Sequence, residues 1–475
     1  MSNIPIIVWF RRDLRTADNP ALFEAAKTGA PILPLFIDEE DLGRPLGAAS
    51  KVWLHHSLKA LKDDLGDLVI RRGKASAVID ALIEETGAID IYWNRRYQKA
   101  DRDRDGAIMD AYKFKPVEVN SFNGNLLSEP WEIKTKSGTK NGQGYYKVFT
   151  PYWRAAREQM FVAEPMARPN FKLFKKMPSS LSVDDLGLLP DSPDWASKMM
   201  DDWTMGEAGA VEALEDFLDG PIASYASDRD RPDKPQGTSR LSPHLAFGEI
   251  SPRQIWHAVK NRDVDGGKFL SEIGWREFSY ALLYYNPDLA TKSFRPEYDA
   301  FPWVKNDDAL HAWQMGQTGY PFVDAGMRQL WETGYQHNRV RMITASFLIK
   351  HLMINWREGE RWFWDCLFDA DPANNAASWQ WVAGSGADAS PYFRIFNPYS
   401  QGEKFDKNGD YVRKWVPELS ELPNKFIHRP WEAPKSVLED AGVTLGKSYP
   451  KPIVDHKAAR ERALSAYKEL KNAST

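Results

Sequence analysis

The sequence predicts two folds in series: an α/β domain built on a doubly wound parallel sheet, then an all-α domain. Three observations carry that expectation. Over the first 125 residues, apolar runs of strand length alternate with segments of helical spacing. Over 126–200 the alternation degrades into polar, proline-punctuated chain. From about 203 onward strand patterns vanish and helical spacing takes over.

The runs at 4–10, 32–37, 67–70, 89–93 and 116–122 have the length and β-branched content of buried strands. Helical spacing fills 20–27, 51–65, 76–85 and 103–112, and Gly29, Gly66 and Gly87 follow three of these helices where a C-terminal cap belongs. The alternation is that of a Rossmann-like sheet, read as one domain over 1–128. No G-x-G-x-x-G follows the first strand. VWFRRDLR stands there, which argues against ordinary dinucleotide binding. A connector is expected over 129–202. KTKSGTKNGQGYYK reads as a surface loop, MARPNFKLFKKMPSS and LLPDSPDW add proline and charge, and one helix is expected near 151–160.

The remainder, 203–475, shows helical spacing at 208–218, 252–260, 268–284, 309–314, 323–333, 340–355, 359–367, 372–382 and 457–470. Ser242-Pro243, Ser251-Pro252 and Asp371-Pro372 each offer a capping side chain before a proline at the first helical position.

Composition narrows the class. Hydrophobic residues make up 43% and charged residues 27%, which excludes a disordered or collagen-like chain. No run approaches the roughly 18 apolar residues of a membrane span. The early charges of MSNIPIIVWFRRDLR do not suit a signal peptide, and the lone Cys366 allows neither an internal disulfide nor a multi-cysteine metal site. A cytoplasmic protein without a membrane partner is the expectation, and a monomer. The net charge of -4 means that a nucleic-acid partner needs a local basic face. The 19 tryptophans suit large helical cores, and also stacking on flat ligands or electron transfer. LGKSYP resembles the tail of a phosphate loop, but Ala441 stands where that loop requires glycine. No H-E-x-x-H occurs, and His55-His56 is the one adjacent histidine pair, so no metal site is expected.

Four helical-domain segments carry chemistry. In TSRLSPHL, Thr238, Ser239, Arg240 and Ser242 gather hydroxyls, a guanidinium and amides at a helix start, which fits either a phosphate cradle or a capped turn with a solvated arginine. In FLSEIGWREFSY, Glu272, Trp275, Arg276 and Ser279 share a helical face: a site that is costly to bury without a ligand, or a salt-bridged surface. In HNRVRMITASFLIKHL, Asn338, Arg341 and Met342 share a face of an apolar helix. Arg341 must be paired if buried, and Asp369 and Asp371 are the nearest suitable anions. In DADPANNAASWQW, Asn375 and Trp379 are four apart and face together, which suits a flat heteroaromatic ligand, while Trp381 points elsewhere.

These segments, in order, make the chain resemble the photolyase/cryptochrome family, in particular its bacterial members acting on cyclobutane pyrimidine dimers. The resemblance runs from VWFRRDLRTADNPAL through KVFTPYWRA, GTSRLSPHLAFGEISPRQ, GWREF, TGYPFVDAGMRQL, HNRVRMITASFLIKHL, NWREGERWF and NNAASWQW to PYFRIFNPYSQGEKFD. It implies an N-terminal α/β domain, a long linker and a helical domain holding FAD. It implies light-driven repair of UV-damaged DNA, in which the photoexcited reduced cofactor lends one electron to the dimer.

The resemblance also implies residue roles. Thr238, Ser239, Arg240, Leu241 and Ser242, with Tyr225, match the FAD diphosphate segment. Phe269, Glu272, Arg276, Asn338, Arg341, Asp369, Asp371 and Asn375 match flavin-site positions, Asn375 facing the reactive ring nitrogen. An amide there does not titrate and can hydrogen-bond the flavin in more than one redox state. Glu272, Trp275, Asn338, Met342 and Trp381 match the wall that meets the flipped-out lesion. The two histidines of members acting on (6-4) products are replaced by Asn338 and Met342, which argues for the cyclobutane dimer. Trp379, Trp356 and Trp303 match the electron-conducting tryptophans, and Arg229, Arg339 and Arg394 match DNA-backbone contacts. Folate-binding members carry an Asn-Glu pair where this chain has Ala100-Asp101. Asp101 can still accept a hydrogen bond from a pterin, so the implied antenna is methenyltetrahydrofolate, with 8-hydroxy-5-deazaflavin or no antenna as alternatives. Two rival readings are a cryptochrome-like photoreceptor, against which the kept lesion-facing residues and the short chain after 457–470 count, and a nucleotide-binding domain fused to a helical module with structural tryptophans.

Overall fold

The computed structural model describes residues 4–39, 42–135, 144–389 and 394–473. Part of the expected surface loop, 136–143, and the start of PYFRIFNP, 390–393, lie outside the described residues.

The five apolar runs form one parallel sheet. Its strands are β1 (Ile6–Phe10), β2 (Ile32–Asp38), β3 (Val69–Arg72), β4 (Asp90–Asn94) and β5 (Glu118–Phe122), in the order β3-β2-β1-β4-β5. β1 is central and buried throughout, pairing Ile6 with Ile32 on one side and with Asp90 on the other. That position explains its uninterrupted IIVWF, since a strand covered on both faces has no polar alternation. β5 is an edge strand and half-exposed, in keeping with its mixed EVNSF. Four helices make the crossovers: α1 (Pro20–Lys27), α2 (Ala48–Leu65), α3 (Ala75–Thr86) and α4 (Lys99–Tyr112). Gly66 and Gly87 cap α2 and α3 with φ of 86° and 72°, values that favour glycine. β3 starts two residues later than its sequence suggests. The Asp67 carboxylate accepts the Leu68 N–H, and the strand runs on to Arg72, whose Nε donates to Asp38 at 2.9 Å.

Charged side chains fill the turn after β1, where a dinucleotide fold has glycines. Arg11 donates to both Asp105 oxygens at 2.9 and 2.8 Å, and Asp13 accepts from the Arg11 amide and from Asn94. Arg15, fully buried, donates to the carbonyls of Asp18, Gly248 and Gly124. VWFRRDLR therefore ties the sheet to the start of the helical sequence.

The chain forms two compact units, and neither is continuous in sequence. One comprises Met1–Ala223 and Ser239–Pro287; the other comprises Ser224–Thr238 and Asp288–Thr475. In the first, α5 (Phe149–Gln159), the expected connector helix, contacts the helix Gly267–Tyr285. The contact is close at Gly274, where a Cβ would stand 2.5 Å from the Trp153 ring. In the second, the helices Pro321–Thr333, Asn338–Ser346, Trp356–Cys366 and Asn374–Ala383 surround a core that includes Trp313, Phe347, Trp356 and Trp379.

The helical pattern expected over 340–355 does not continue to its end. The α-helix stops at Ser346, one π-helical stretch spans Phe347–His351, and Met353 turns the chain at a φ of 56°. Asn355 then caps the next helix by accepting from the Arg357 N–H at 3.0 Å, so a capping residue overrides the apolar run before it. The short helices Pro221–Asp228 and Pro398–Phe405 are not anticipated, and Ser242–Phe247 is signalled only by its Ser-Pro start. Among the described residues, no helix is long and apolar enough to cross a membrane.

Candidate functional site

Arg341 fixes the site residues of the second unit. It is carried by the helix Asn338–Ser346, and its Nη1 and Nη2 donate to the two Asp369 oxygens at 3.0 and 2.8 Å. Its Nε donates to the Gln336 carbonyl at 2.6 Å. Burial opposes the charge, but Asp369 more than offsets it, and Arg341 holds its proton more tightly than a free arginine. Asn338 on the same helix is exposed and Met342 is half-buried, so these residues line its more open side.

Asp371 is not a partner of Arg341. Its Oδ1 accepts from the Ala373 and Asn374 amides at 2.9 and 2.7 Å and braces the turn that leads into the helix Asn374–Ala383, whose cap position is Ala373. The cap expected at Asp371 with Pro372 opening the helix is therefore not formed: the helix begins two residues after the proline, and Asp369 alone pairs with Arg341.

Asn375 sits one residue into that helix and is buried. Its Nδ2 donates to the Glu360 carbonyl at 3.0 Å and to Glu360 Oε1 at 2.8 Å. A carbonyl can only accept, so the amide nitrogen must face Glu360, leaving the amide oxygen as the group able to accept from a ligand N–H. The sequence reading did not single out Glu360. Its signal was a carboxylate four residues from Trp356 and three from Phe363, on the apolar side of its helix.

The three electron-transfer candidates belong to one aromatic core. Trp379 is buried, 4.9 Å from Phe363 and 6.2 Å from Trp313, and a Cβ at Gly359 would stand 2.1 Å from its ring. Trp356 is fully buried in the same cluster, and Trp303 and Trp381 pack against it half-buried. The Nε1 atoms of Trp356 and Trp303 are shielded and meet no acceptor among the described residues.

The three DNA-contact candidates are also in this unit. Arg339 donates to Asp230 at 2.6 Å, and Arg229 lies 3.8 Å from the same carboxylate, so the two cations share one anion. Arg394 is exposed, and its carbonyl accepts from Lys350. Tyr225 is buried in the helix Pro221–Asp228, and Thr238 is extended, with φ -134° and ψ 153°.

In the first unit, Ser239 Oγ accepts from the Leu241 N–H at 3.4 Å, Arg240 turns the chain at a φ of 53°, and Leu241 is buried. Ser242 does not cap its helix. It is the first helical residue, and Leu241 occupies the cap position without a side-chain bond. With only six residues after this start, any anion-binding power rests on the side chains of Ser239, Arg240 and Ser242 more than on a helix dipole.

On the helix Gly267–Tyr285, Phe269 is buried against Phe217 at 4.7 Å. Glu272, half-buried, lies 3.4 Å from Lys268, and Trp275 stacks on Phe149 at 3.9 Å with planes 10° apart. The carboxylate beside Arg276 is Glu277, at 3.4 Å, not Glu272, and Arg276 donates to the Asn125 carbonyl at 2.8 Å. Ser279 donates back to the Trp275 carbonyl and takes no part in the cluster. Glu277 accepts from the amides of Leu127 and Ser128 at 2.8 and 3.3 Å. Burial pushes its carboxyl up to about 7, against the pull of Arg276 and those amides.

Asp101 is buried on α4, 3.3 Å from both Arg96 and Arg104, within a group that also holds Arg11, Asp105 and Glu39. Among the described residues, no group of three or more His, Cys, Asp or Glu side chains could hold a metal ion.

The residues fit FAD. Each unit by itself supplies suitable chemistry: the second holds an arginine paired with Asp369 and a buried amide whose nitrogen is engaged by Glu360, and the first holds an arginine flanked in sequence by Ser239 and Ser242.

Comparison with known proteins gives the same picture. A family model described as the FAD binding domain of DNA photolyase matches residues 269–469, and one described as DNA photolyase matches 6–170. The chain is 52% identical to a deoxyribodipyrimidine photo-lyase of Agrobacterium fabrum, covering 99% of both chains. It is 38% identical to cryptochrome-1 of Arabidopsis thaliana over 98% of this chain and 71% of that protein. Among solved structures, a bacterial class III photolyase from Agrobacterium tumefaciens superposes with a TM-score of 0.94 at 52% identity, covering 99% of this chain and 98% of that one.

Proposed function

The chain belongs to the photolyase/cryptochrome family, and from that premise we propose that it is a deoxyribodipyrimidine photo-lyase that uses light to repair cyclobutane pyrimidine dimers in DNA. The observation that carries this reading is Asn375, whose amide nitrogen is fixed by Glu360 and whose oxygen is thereby oriented as a non-titrating acceptor. FAD held by these residues would supply the light-driven one-electron chemistry that cyclobutane repair requires.

The chain's own residues bind, orient and shield. Thr238, Ser239, Arg240, Leu241 and Ser242, with Tyr225, hold the diphosphate. Phe269, Glu272, Arg276, Asn338, Arg341, Asp369, Asp371 and Asn375 line the flavin: Arg341 brings positive charge whose position Asp369 fixes, and Asp371 holds the turn that presents Asn375. Trp275, Met342 and Trp381 pack the flipped-out pyrimidines, with Asn338 beside them, and Glu272 hydrogen-bonds the 5′ base. Trp379, Trp356 and Trp303 conduct an electron inward from the surface. Arg229, Arg339 and Arg394 grip phosphates, which positions the duplex without reading its sequence.

The functional division that goes with this reading is an antenna-type domain over 1–128, a connector over 129–202 and an FAD- and DNA-binding domain over 203–475. The antenna assigned to the first is methenyltetrahydrofolate, with Asp101 as acceptor and 8-hydroxy-5-deazaflavin as the alternative; the absorption spectrum of native protein distinguishes them. The protein acts as a cytoplasmic monomer. The deciding experiment follows dimers in irradiated DNA incubated with purified protein. Clearance in blue or near-UV light and not in darkness is expected. A protein that photoreduces but clears no dimer in light is a photoreceptor instead, and equal clearance in darkness removes the light-driven mechanism.

A further inference from the structure

Trp203 lies outside every role assigned so far, yet it meets a cofactor-assigned residue face to face. The guanidinium carbon of Arg240 is 3.9 Å from the centroid of the Trp203 ring. Trp203 is in turn held edge-on by Trp53, with centroids 5.2 Å apart and planes at 78°. Trp53 is fully buried, and its Nε1 donates to Glu249 Oε1 at 3.0 Å. The same oxygen accepts from the Gly206 N–H at 2.9 Å, three residues past Trp203. The other oxygen lies 2.5 Å from Nδ1 of His244, in the helix that starts two residues after Arg240. Glu249 therefore ties down the chain on both sides of the stacked pair. Gly206 allows the close approach: its φ is 95°, and a Cβ would stand 2.6 Å from that of Ala60.

Two features of Arg240 give this arrangement a purpose beyond packing. Its backbone is left-handed, with φ 53°, a conformation that costs a non-glycine residue free energy and persists where the surroundings over-determine it. Its guanidinium is planar and donates within its plane, so a ring covering one face leaves the N–H edges able to meet an anion. An arginine already stacked has lost rotamer freedom before the ligand arrives, and binding then costs less entropy.

We infer that Trp203 is a cofactor-positioning residue, whose indole face fixes the Arg240 guanidinium in the orientation that receives the FAD diphosphate. The inference rests on the assignment of Arg240 to the diphosphate segment. The test is the rate of FAD release from holoprotein, followed as the rise in flavin fluorescence after dilution, with the thermal unfolding midpoint recorded alongside. Trp203→Leu is expected to speed release roughly 3- to 30-fold, and Arg240→Ala at least as much. The double variant is expected to release FAD no faster than Arg240→Ala alone. Trp203→Phe, which keeps an aromatic face, stays within roughly threefold of the unsubstituted protein.

Unchanged release in Trp203→Leu, or a double variant whose effect is the product of the two single effects, overturns the positioning role. If Arg240→Ala itself leaves release unchanged, the diphosphate assignment falls and the inference falls with it. If Trp203→Leu does not fold, the cycle is read with Trp203→Phe, whose smaller effect must vanish in the Arg240→Ala background for the inference to stand.

Discussion

Two arginines assigned to the flavin, one in each unit, stand beside a carboxylate and are held differently. In the second unit, Arg341 and Asp369 come from separate elements and meet in a two-pronged pair at 3.0 and 2.8 Å. In the first, Arg276 and Glu277 are neighbours in sequence, and one contact at 3.4 Å is all they share. Glu277 turns instead to the amides of Leu127 and Ser128, and Arg276 to the Asn125 carbonyl. The first arrangement locks charge in place, since each ion compensates the other. The second leaves a buried carboxyl that titrates near neutrality. Full pairing favours a fixed electrostatic environment, whereas a clamp on backbone amides holds chain segments together at the cost of a labile proton.

The largest test breaks the locked pair. Asp369→Ala leaves the half-buried Arg341 guanidinium without its anion and is expected to cost about 3 kcal/mol. Thermal unfolding and flavin content should both fall. Arg276→Met should cost less, and a reversal of that order would undo the comparison.

The next test concerns pH. The folded pKa of Glu277 lies above its ordinary 4.5, so the folded state binds the extra proton. Its contribution to stability is present in full below about 4.5 and is lost as pH rises through about 7, a change of up to about 3 kcal/mol. Glu277→Gln should flatten that decline in chemical unfolding curves. Lys350 supplies the opposite sign in the second unit. Burial, helped by Arg394, lowers its amine from 10.5 to about 7, so its contribution to stability is present above 10.5 and lost as pH falls through 7. Lys350→Met should remove a rise across that window and leave the Glu277 window untouched.

A third test asks whether the second unit's rigid core carries electrons as well as packing. Trp379→Phe should slow photoreduction by at least about tenfold, roughly the rate change produced by 1.4 kcal/mol of barrier. Repair by pre-reduced enzyme should stay within about twofold. Equal loss of both would mean that Trp379 serves packing first.

The smallest expected effect is at Asp230, which Arg229 and Arg339 share. Asp230→Asn should raise affinity for undamaged DNA a few-fold, with the salt dependence steeper by up to about one unit of slope. Binding measured at two salt concentrations checks this, and weaker binding would show that Asp230 orders the arginines more than it neutralises them.

Part of the site was legible in the chain. An arginine in an apolar helix demands an anion, and Arg341 has one in Asp369. Asp371 before proline reads as a cap, but it braces the turn ahead of the helix, which starts only at Asn374. Glu277, Glu360 and Trp203 gave no comparable signal. GWREF and WREGERWF look like ordinary charged helix sequence, and DDWTMGE looks like a polar turn. Their burial or partners depend on chain segments tens of residues away, such as Leu127 for Glu277 and Arg240 for Trp203.

The strands, the crossover helices with their glycine caps and the long helices of the second half were set by local rules: periodicity, propensity and capping act over a dozen residues and leave their mark in the chain. Which carboxylate answers which arginine, where a titrating proton is trapped, and which of 19 tryptophans stacks on which cation were decided by packing. Desolvation and contact geometry depend on residues brought together from distant sequence, and no local pattern encodes their distances.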